Sequence, residues 1–582
     1  MAEAAHKDNF DLVITNAVII DGTGAPGYPG SIAVKDGKIA QLGELSAQQI
    51  DTAAQHVDAG GQVASPGFID VHTHYDAQVF WDGTLSPSCY HGVTTVFGGF
   101  CGFSIAPLSE EAAPYLLHML ARVEGMPVSS LTEGVPWDWQ SFAEYLAKLD
   151  GKLGVNAGFM AGHSAIRRVV MGERAVGEEA TEQELAAMTE LLGQCLAQGA
   201  MGFSSTISPT HNDAEGQPVP SRHASREELV ALAGVCREHP GTSLEFLPGV
   251  GYFSNEIKEL MSDLSTAAER PLNWNVLAAG DAELMENQLS ATDVARANGG
   301  EVLALTVPQP ITLRINLYGG FVFDAMEGWA ELFQVSVPER IAILQDPERR
   351  RQLDESARSK GPMRNLAVWE DLTVHAVFLD EHKALEGKTV GEIAALQNKT
   401  PFDAMLDLSI AEGLRTSFMP PAIGGDEALW HMRGKLWHDD RTLIGASDAG
   451  AHLDMIDTFA FSTQVLGNGV RRHGVIDLET AIHKITQVSA EAFGLHDRGV
   501  LKPGWNADIV IFDPQTVDSG QVYMKTDLPC DEPRVYADAF GIDHVFVNGV
   551  QTIHHGEHTQ ALPGKVLRSG EDTHTPALRR PG

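Results

Sequence analysis

Short apolar runs alternate with amphipathic stretches through the middle of the chain, between two ends of a different texture. At the start, Leu12-Val13-Ile14 and Val18-Ile19-Ile20 are β-branched runs separated by Thr15-Asn16. Ser31 to Val34 and Lys38 to Leu42 flank Asp36-Gly37, a two-residue hairpin signal. Late in the chain, Ala507 to Asp513 and Asp543 to Gly549 repeat this short-strand texture. The pattern predicts a small β-sandwich domain assembled from residues 1–64 and 499–582, with two unrelated β caps as the alternative.

Between the ends, eight candidate strands finish near His74, Phe100, Gly162, Thr206, Phe246, Leu277, Val307 and Asp448. The helices between them are well signalled. Thr181 with Glu184 reads as a capping box ahead of Leu185, Met188, Leu192 and Leu196, and Ser225 with Glu228 as a second one. Asp477 caps a run with Leu478, Ala481, Ile482 and Ile485. Alternating strands and helices of this kind predict an α/β fold, a (β/α)8 TIM barrel over residues 65–498. The stretch 308–441 is too long for a loop and is expected to form a lid-like insertion. It contains Tyr318-Gly319-Gly320-Phe321 and the run Arg349-Arg350-Arg351, read as a solvated helix face.

Composition narrows the partners. The chain has 582 residues and a formal charge of −37, which argues against nucleic acid or an anionic membrane. Its five cysteines lack scaffold-like spacing, so free thiols in a reducing compartment are expected, with Cys195 and Cys236 packed in helices. No apolar leader stands in MAEAAHKDNFD and no run approaches a membrane span, so the expected location is cytoplasmic. A homo-oligomer stays open.

The chemistry gathers at the predicted strand ends. Phe68 to Val71 reads as a buried strand that runs into His72-Thr73-His74, followed by Asp76. Side chains two apart on a strand share a face, so both imidazoles project to one side, where they can grip one metal ion. The second strand ends in Gly98-Gly99-Phe100-Cys101-Gly102, where Cys101 is either a small core residue or a thiolate ligand. His163 follows the third and either orients substrate or is a hydrogen-bonded structural histidine. The fourth carries no lysine to form a metal-bridging carbamate. Glu245 lies in an apolar fifth strand, where a charge is costly unless paired or metal-bound. The eighth ends in Ser447-Asp448, followed by Ala449-Gly450-Ala451-His452. A carboxylate there can bind metal and take a proton from an activated water, although an isolated Ser-Asp would serve as a helix cap. In a closed barrel the first and last strands are neighbours, so His72, His74 and Asp448 should converge.

The chain resembles the amidohydrolase superfamily, and within it the D-aminoacylase (N-acyl-D-amino-acid deacylase) family. PGFIDVHTHYD at 66–76, GVTTVFGGFCGFSIAP at 92–107, GHSAIR at 162–167, GASDAGAH at 445–452 and DRGVLKPGWNADIVIFDP at 497–514 carry the resemblance. It implies a metal-dependent TIM barrel with a small β domain from both termini, metal ligands at His72, His74 and Cys101, and a catalytic aspartate at Asp448. Family members have histidines at the ends of the fifth and sixth strands, where this chain has Glu245 and Asn275. The family's lysine after the sixth strand and arginine after the catalytic aspartate, which hold the substrate carboxylate, are not evident here.

The expected activity is zinc-dependent hydrolysis of an amide C–N bond, of an N-acyl amino acid or a hydrophobic or aromatic amide. Hydrolysis of a cyclic amide, lactone or carbamate, a metal-dependent lyase or decarboxylase reaction, and a degenerate binding protein are the alternatives. The expected site has His72, His74 and Asp448 on the metal, completed by Cys101 or Glu245, with one tightly held zinc and a second possible. Expected substrate contacts are His163, Asn275, Trp274, His452 and Phe246, with Met455, Phe459 and Phe461 at an apolar mouth. Arg167, Arg222 and Arg314 are the arginines that could supply a cation, and no spacing singles one out.

Overall fold

The computed structural model describes residues 9–320, 322–323, 326–359, 366–421 and 424–578; Phe321 of the Tyr-Gly-Gly-Phe segment lies outside them. Phe68–Asp70, Val93–Gly98 and Asn156–Phe159 form a three-stranded parallel sheet. Ala161–Gly162, Gly202–Thr206, Ser243–Leu247, Leu272–Leu277, Val302–Thr306 and Thr442–Ile444 follow one another across a six-stranded parallel sheet. Only Met160 separates the two pieces of the third strand, and the Met201 amide donates to the Phe159 carbonyl at 2.8 Å. On the other side Thr73 and Ala449 form a parallel bridge, and the His74 amide donates to the Ala449 carbonyl at 2.7 Å. Strands such as Val93–Gly98 and Ser243–Leu247 are buried at every position, which is why they read as near-continuous apolar runs. The fold is a TIM-barrel-like α/β fold with an additional β unit.

That unit is a nine-stranded mixed sheet drawing on both ends of the chain. Val63–Pro66 pairs antiparallel with Ile509–Phe512, which joins the two halves. The two N-terminal apolar runs belong to one strand, Leu12–Ile19, with a register shift between Ile14 and Ala17. Asn16 takes φ 54° at this irregularity, so the polar pair Thr15-Asn16 marks a bulge and not a turn. The Asp36-Gly37 hairpin forms as expected, with φ of 50° and 75° at its two central residues. The sheet closes over its own core of Leu12, Ile14, Ile32, Ile509 and Phe546. The hairpin Asp518–Leu528 and Glu532–Phe540 leaves this sheet and reaches the other unit, where the Val535 amide donates to the Leu453 carbonyl at 2.6 Å.

The insertion has its own hydrophobic core, with Phe323, Trp329, Trp369, Phe402 and Phe418 packed together and Met455 and Ile456 docked onto them. Helices Val337–Gln345, Pro347–Ala357, Val390–Gln397 and Pro401–Ala411 surround it. The arginine run divides: Arg351 is exposed between Glu348 and Glu355, whereas Arg350 turns inward to Asp403 and Asp407. The capping readings divide as well. Thr181 and Glu184 form a full capping box, but Ser225 only accepts the Glu228 amide, because the Glu228 carboxylate turns into the protein. All five cysteines are free. No helix among the described residues is long and apolar enough to cross a membrane.

Candidate metal centre and active site

Asp70, His72 and His74 follow the alternation of the first strand and emerge together where it ends. His72 and His74 are buried, with ring centroids 5.2 Å apart. The loop after the second strand brings Cys101 to them. This loop winds through left-handed backbone at Gly99 (φ 79°), Cys101 (φ 55°) and Gly102 (φ 75°). A side chain at Gly99 would meet the Met160 carbonyl at 2.4 Å, so the close turn requires glycine. The Cys101 Sγ lies 3.8 Å from His72 Nε2. Ligand atoms of His72, His74 and Cys101 all fall within 4.8 Å of one another.

Asp448 completes this cluster from the last strand. Its Oδ1 is 3.2 Å from His72 Nε2 and 3.8 Å from His74 Nε2. Its side chain keeps 28 % of its surface accessible, so it alone of this quartet faces open space. Burial opposes its charge, but the His72 hydrogen bond and the fields of His72, His74 and His452 outweigh burial and hold its pKa down at about 2. The carboxylate is therefore ionised at neutral pH, as a proton acceptor must be.

Glu245 sits behind Cys101. Its Oε2 accepts the Cys101 amide at 3.0 Å and the Ser204 hydroxyl at 2.5 Å, while its buried Oε1 has no hydrogen-bond partner. Burial pushes its pKa up to about 7. Asn275 faces the same point from the sixth strand, with Nδ2 3.3 Å from His72 Nε2 and a buried Oδ1 without a hydrogen-bond partner. Burial, then the field of His72, keeps His74 neutral, and burial with Glu245 keeps Cys101 a thiol unless a cation draws off its proton. The neutral His74 ring, the His72 ring and the Cys101 thiol with its displaceable proton, whose ligand atoms lie within 4.8 Å of one another, are a donor set that fits a divalent metal of zinc's type.

Several expected contacts lie elsewhere. Phe246 and Trp274 are fully buried in the main hydrophobic cluster with Leu260, Met261 and Leu264 of the neighbouring helix, and Trp274 packs on Phe253 at 4.9 Å. Phe246 adjoins Glu245 and Trp274 adjoins Asn275, so strand alternation turns each ring to the face opposite the site. Phe459 and Phe461 belong to the same cluster. His163 has both nitrogens engaged, at 2.8 Å to Ser205 and 2.8 Å to Glu228, which also holds Arg167. It is the hydrogen-bonded structural histidine of the two readings. Asp76 is buried and accepts the Gly99 amide at 2.9 Å, which ties the glycine loop to the first strand.

A cavity of about 400 Å³ opens between the insertion and the strand ends. The metal cluster does not line it, but His452 and Gly125 do: Gly125 adjoins Glu124, and His452 lies on the loop that follows Asp448. Met455 and Arg314 line it as well. Arg167 is locked on Glu228 and Arg222 on His211 and Asn212. Arg122, Arg340 and Arg415 also line the cavity, and no sequence spacing pointed to them. Arg340 donates to the carbonyls of Leu317, Tyr318, Leu332 and Val335, and no carboxylate among the described residues pairs with it. Of the three arginines left open by the sequence, only Arg314 reaches this cavity, and the guanidiniums around it come from segments far apart in sequence.

Two further residues escaped the sequence. His211, on the loop after the fourth strand, packs on Phe103 at 4.9 Å and has its pKa lowered to about 3 by burial and the field of His452. Glu124 is buried with Oε1 3.4 Å from His74 Nδ1.

Residues 55–558 match the amidohydrolase family, and residues 1–62 match the urease alpha-subunit N-terminal domain. A D-aminoacylase from Alcaligenes xylosoxydans xylosoxydans is 28% identical over 96% of this chain and 97% of its own. A solved D-aminoacylase described as having a binuclear metal center superposes with a TM-score of 0.63 at 26% identity, covering 96% of this chain and all of the other. The N-acyl-D-glutamate deacylase of Bordetella bronchiseptica, solved with zinc and a phosphonate inhibitor, gives 0.63 at 25% identity with the same coverage. The chain belongs to the amidohydrolase family, as a D-aminoacylase-like, metal-dependent hydrolase of carbon–nitrogen bonds other than peptide bonds.

Proposed function

We propose that this chain is a zinc-dependent deacylase that hydrolyses the amide bond of an N-acyl amino acid bearing one carboxylate and an apolar body. The observation that carries it is the cluster of His72, His74 and Cys101 with Asp448, set beside a cavity with guanidiniums in its walls. His72, His74, Cys101 and Glu245 would hold the metal. When bound, a zinc ion polarises a substrate carbonyl and lowers the pKa of a water molecule. Asp448, ionised, with its Oδ1 buried against the two histidines and the rest of its side chain partly accessible, takes the proton of the attacking water and returns it to the leaving nitrogen. Asn275 Nδ2 holds the edge of His72.

Of the guanidiniums around this cavity, Arg314 is paired with Asp457 and Arg415 with Glu532, whereas Arg340 pairs with no carboxylate among the described residues, and in a chain of formal charge −37 this favours an anionic substrate group beside it. Phe323, Phe333 and Met455 in the same walls favour an apolar body beside it. We read the two parallel sheets as one closed eight-stranded barrel, supported by the hydrogen bonds that join them on both sides. The division into residues 65–498 and a composite of 1–64 with 499–582 is supported by the mixed sheet of both termini. A cytoplasmic location accords with the five free thiols.

The test compares kcat/KM for an N-acyl amino acid with that for its neutral carboxamide. A charged hydrogen bond contributes about 1.5–3 kcal/mol, so the acid should be preferred by about 10- to 100-fold. Equal rates would show that the arginines do not anchor substrate.

A further inference from the structure

We propose that Glu124 is a positioning residue for the metal ligand His74, and that it couples this ligand to the substrate cavity. The proposal rests on the metal-centre reading above. Glu124 caps the C-terminus of the helix Ala113–Val123, where the helix dipole disfavours an acid. It is also 3% exposed, where an unpaired carboxylate is costly. Helix stability therefore does not account for a glutamate at this position. Its partner does: Oε1 lies 3.4 Å from Nδ1 of His74, while Nε2 of the same ring looks toward Asp448 at 3.8 Å.

An imidazole whose Nδ1–H is given to a carboxylate keeps its Nε2 lone pair for a metal, is fixed in orientation and becomes a more basic ligand. The main chain of Glu124 makes the second connection. Its carbonyl accepts the His452 amide at 2.5 Å, and His452 and the adjoining Gly125 both line the cavity. His452 is held there in left-handed backbone, φ 47°. One residue thus joins the His74 ring, through its side chain, to the loop that carries Asp448 and the cavity wall, through its backbone.

The experiment measures zinc affinity of metal-depleted wild type, Glu124→Ala and Glu124→Gln by competition with a chromogenic chelator, with a thermal melt of each. Loss of such a partner costs about 10- to 100-fold in metal affinity. Glu124→Ala should show a loss of that size, and Glu124→Gln, which keeps an oxygen acceptor, a clearly smaller one. Wild-type affinity in Glu124→Ala, with or without a lower melting temperature, would overturn the proposal and leave the metal centre standing. A loss in Glu124→Gln as large as in Glu124→Ala would also overturn it, making the carboxylate itself a ligand. Wild type without zinc affinity would overturn both readings. Should Glu124→Ala fail to fold, the 15N shifts of His74 in the zinc-loaded wild type decide: a protonated Nδ1 is required, and a protonated Nε2 overturns the proposal.

Discussion

The Ser447 hydroxyl lies 2.9 and 2.7 Å from the two carboxylate oxygens of Asp70, and 2.9 Å from the carbonyl of His72. One short side chain therefore ties the strand that delivers His72 to the strand that delivers Asp448. Burial pushes the pKa of Asp70 up to about 7, against the Ser447 and His72 contacts that lower it. Ser447→Ala removes the tie and leaves Asp70 with an unmet buried acceptor, at a cost of about 1–3 kcal/mol. Urea unfolding should show that loss, and kcat should fall while metal content holds. Unchanged stability and kcat would mean that Asp448 is placed by other contacts.

Asp448→Asn keeps the shape of the side chain but accepts no proton at neutral pH. Turnover should fall by about 10²-fold or more, the usual worth of general acid–base catalysis, with the circular dichroism spectrum unchanged. A folded, metal-loaded variant that keeps more than about a tenth of the wild-type rate would remove Asp448 from that role.

One tightly held zinc per chain is expected, because His72, His74 and Cys101 form the only such ligand group among the described residues. Elemental analysis of protein purified without added metal should find close to one zinc, and chelation should abolish activity that added zinc restores. Two stoichiometric ions that both resist chelation would contradict this.

Glu228 supplies a pH dependence away from the metal. Burial raises its pKa, but the hydrogen bonds and charges of His163 and Arg167 outweigh burial and lower it below the ordinary value. Its contribution to stability is full above the unfolded-state value near 4.3 and is lost as pH falls through the depressed folded-state value. Glu228→Gln should be less stable than wild type at pH 7, by as much as about 3–5 kcal/mol for a broken buried pair, with the gap closing in acid. A gap that does not change with pH would show that the ionised carboxylate is not what stabilises the network.

Much of the architecture lies in local pattern. Strand alternation puts His72 and His74 on one face, Asp36-Gly37 takes the positive φ its turn needs, and Thr181 with Glu184 caps its helix, because each depends on residues close in the chain. Alternation also held the answer for Phe246: as the neighbour of inward-facing Glu245 it had to face the helices.

What local pattern could not decide is where long side chains end. Glu228 carries a capping-box signature, yet its carboxylate goes to His163 and Arg167, which neighbouring elements bring within reach. Glu124, next to Gly125 on a loop behind a helix, meets His74 only because the fold returns that loop to the strand end. Arg122, Arg314, Arg340 and Arg415 come from segments with no common period, and only the docking of the insertion onto the strand ends puts them around one cavity. Sequence by itself determined the elements and the metal-binding strand, through short-range geometry. The tertiary structure alone decided the charge of the cavity and the partners of the buried acids, because those depend on contacts between residues far apart in the chain.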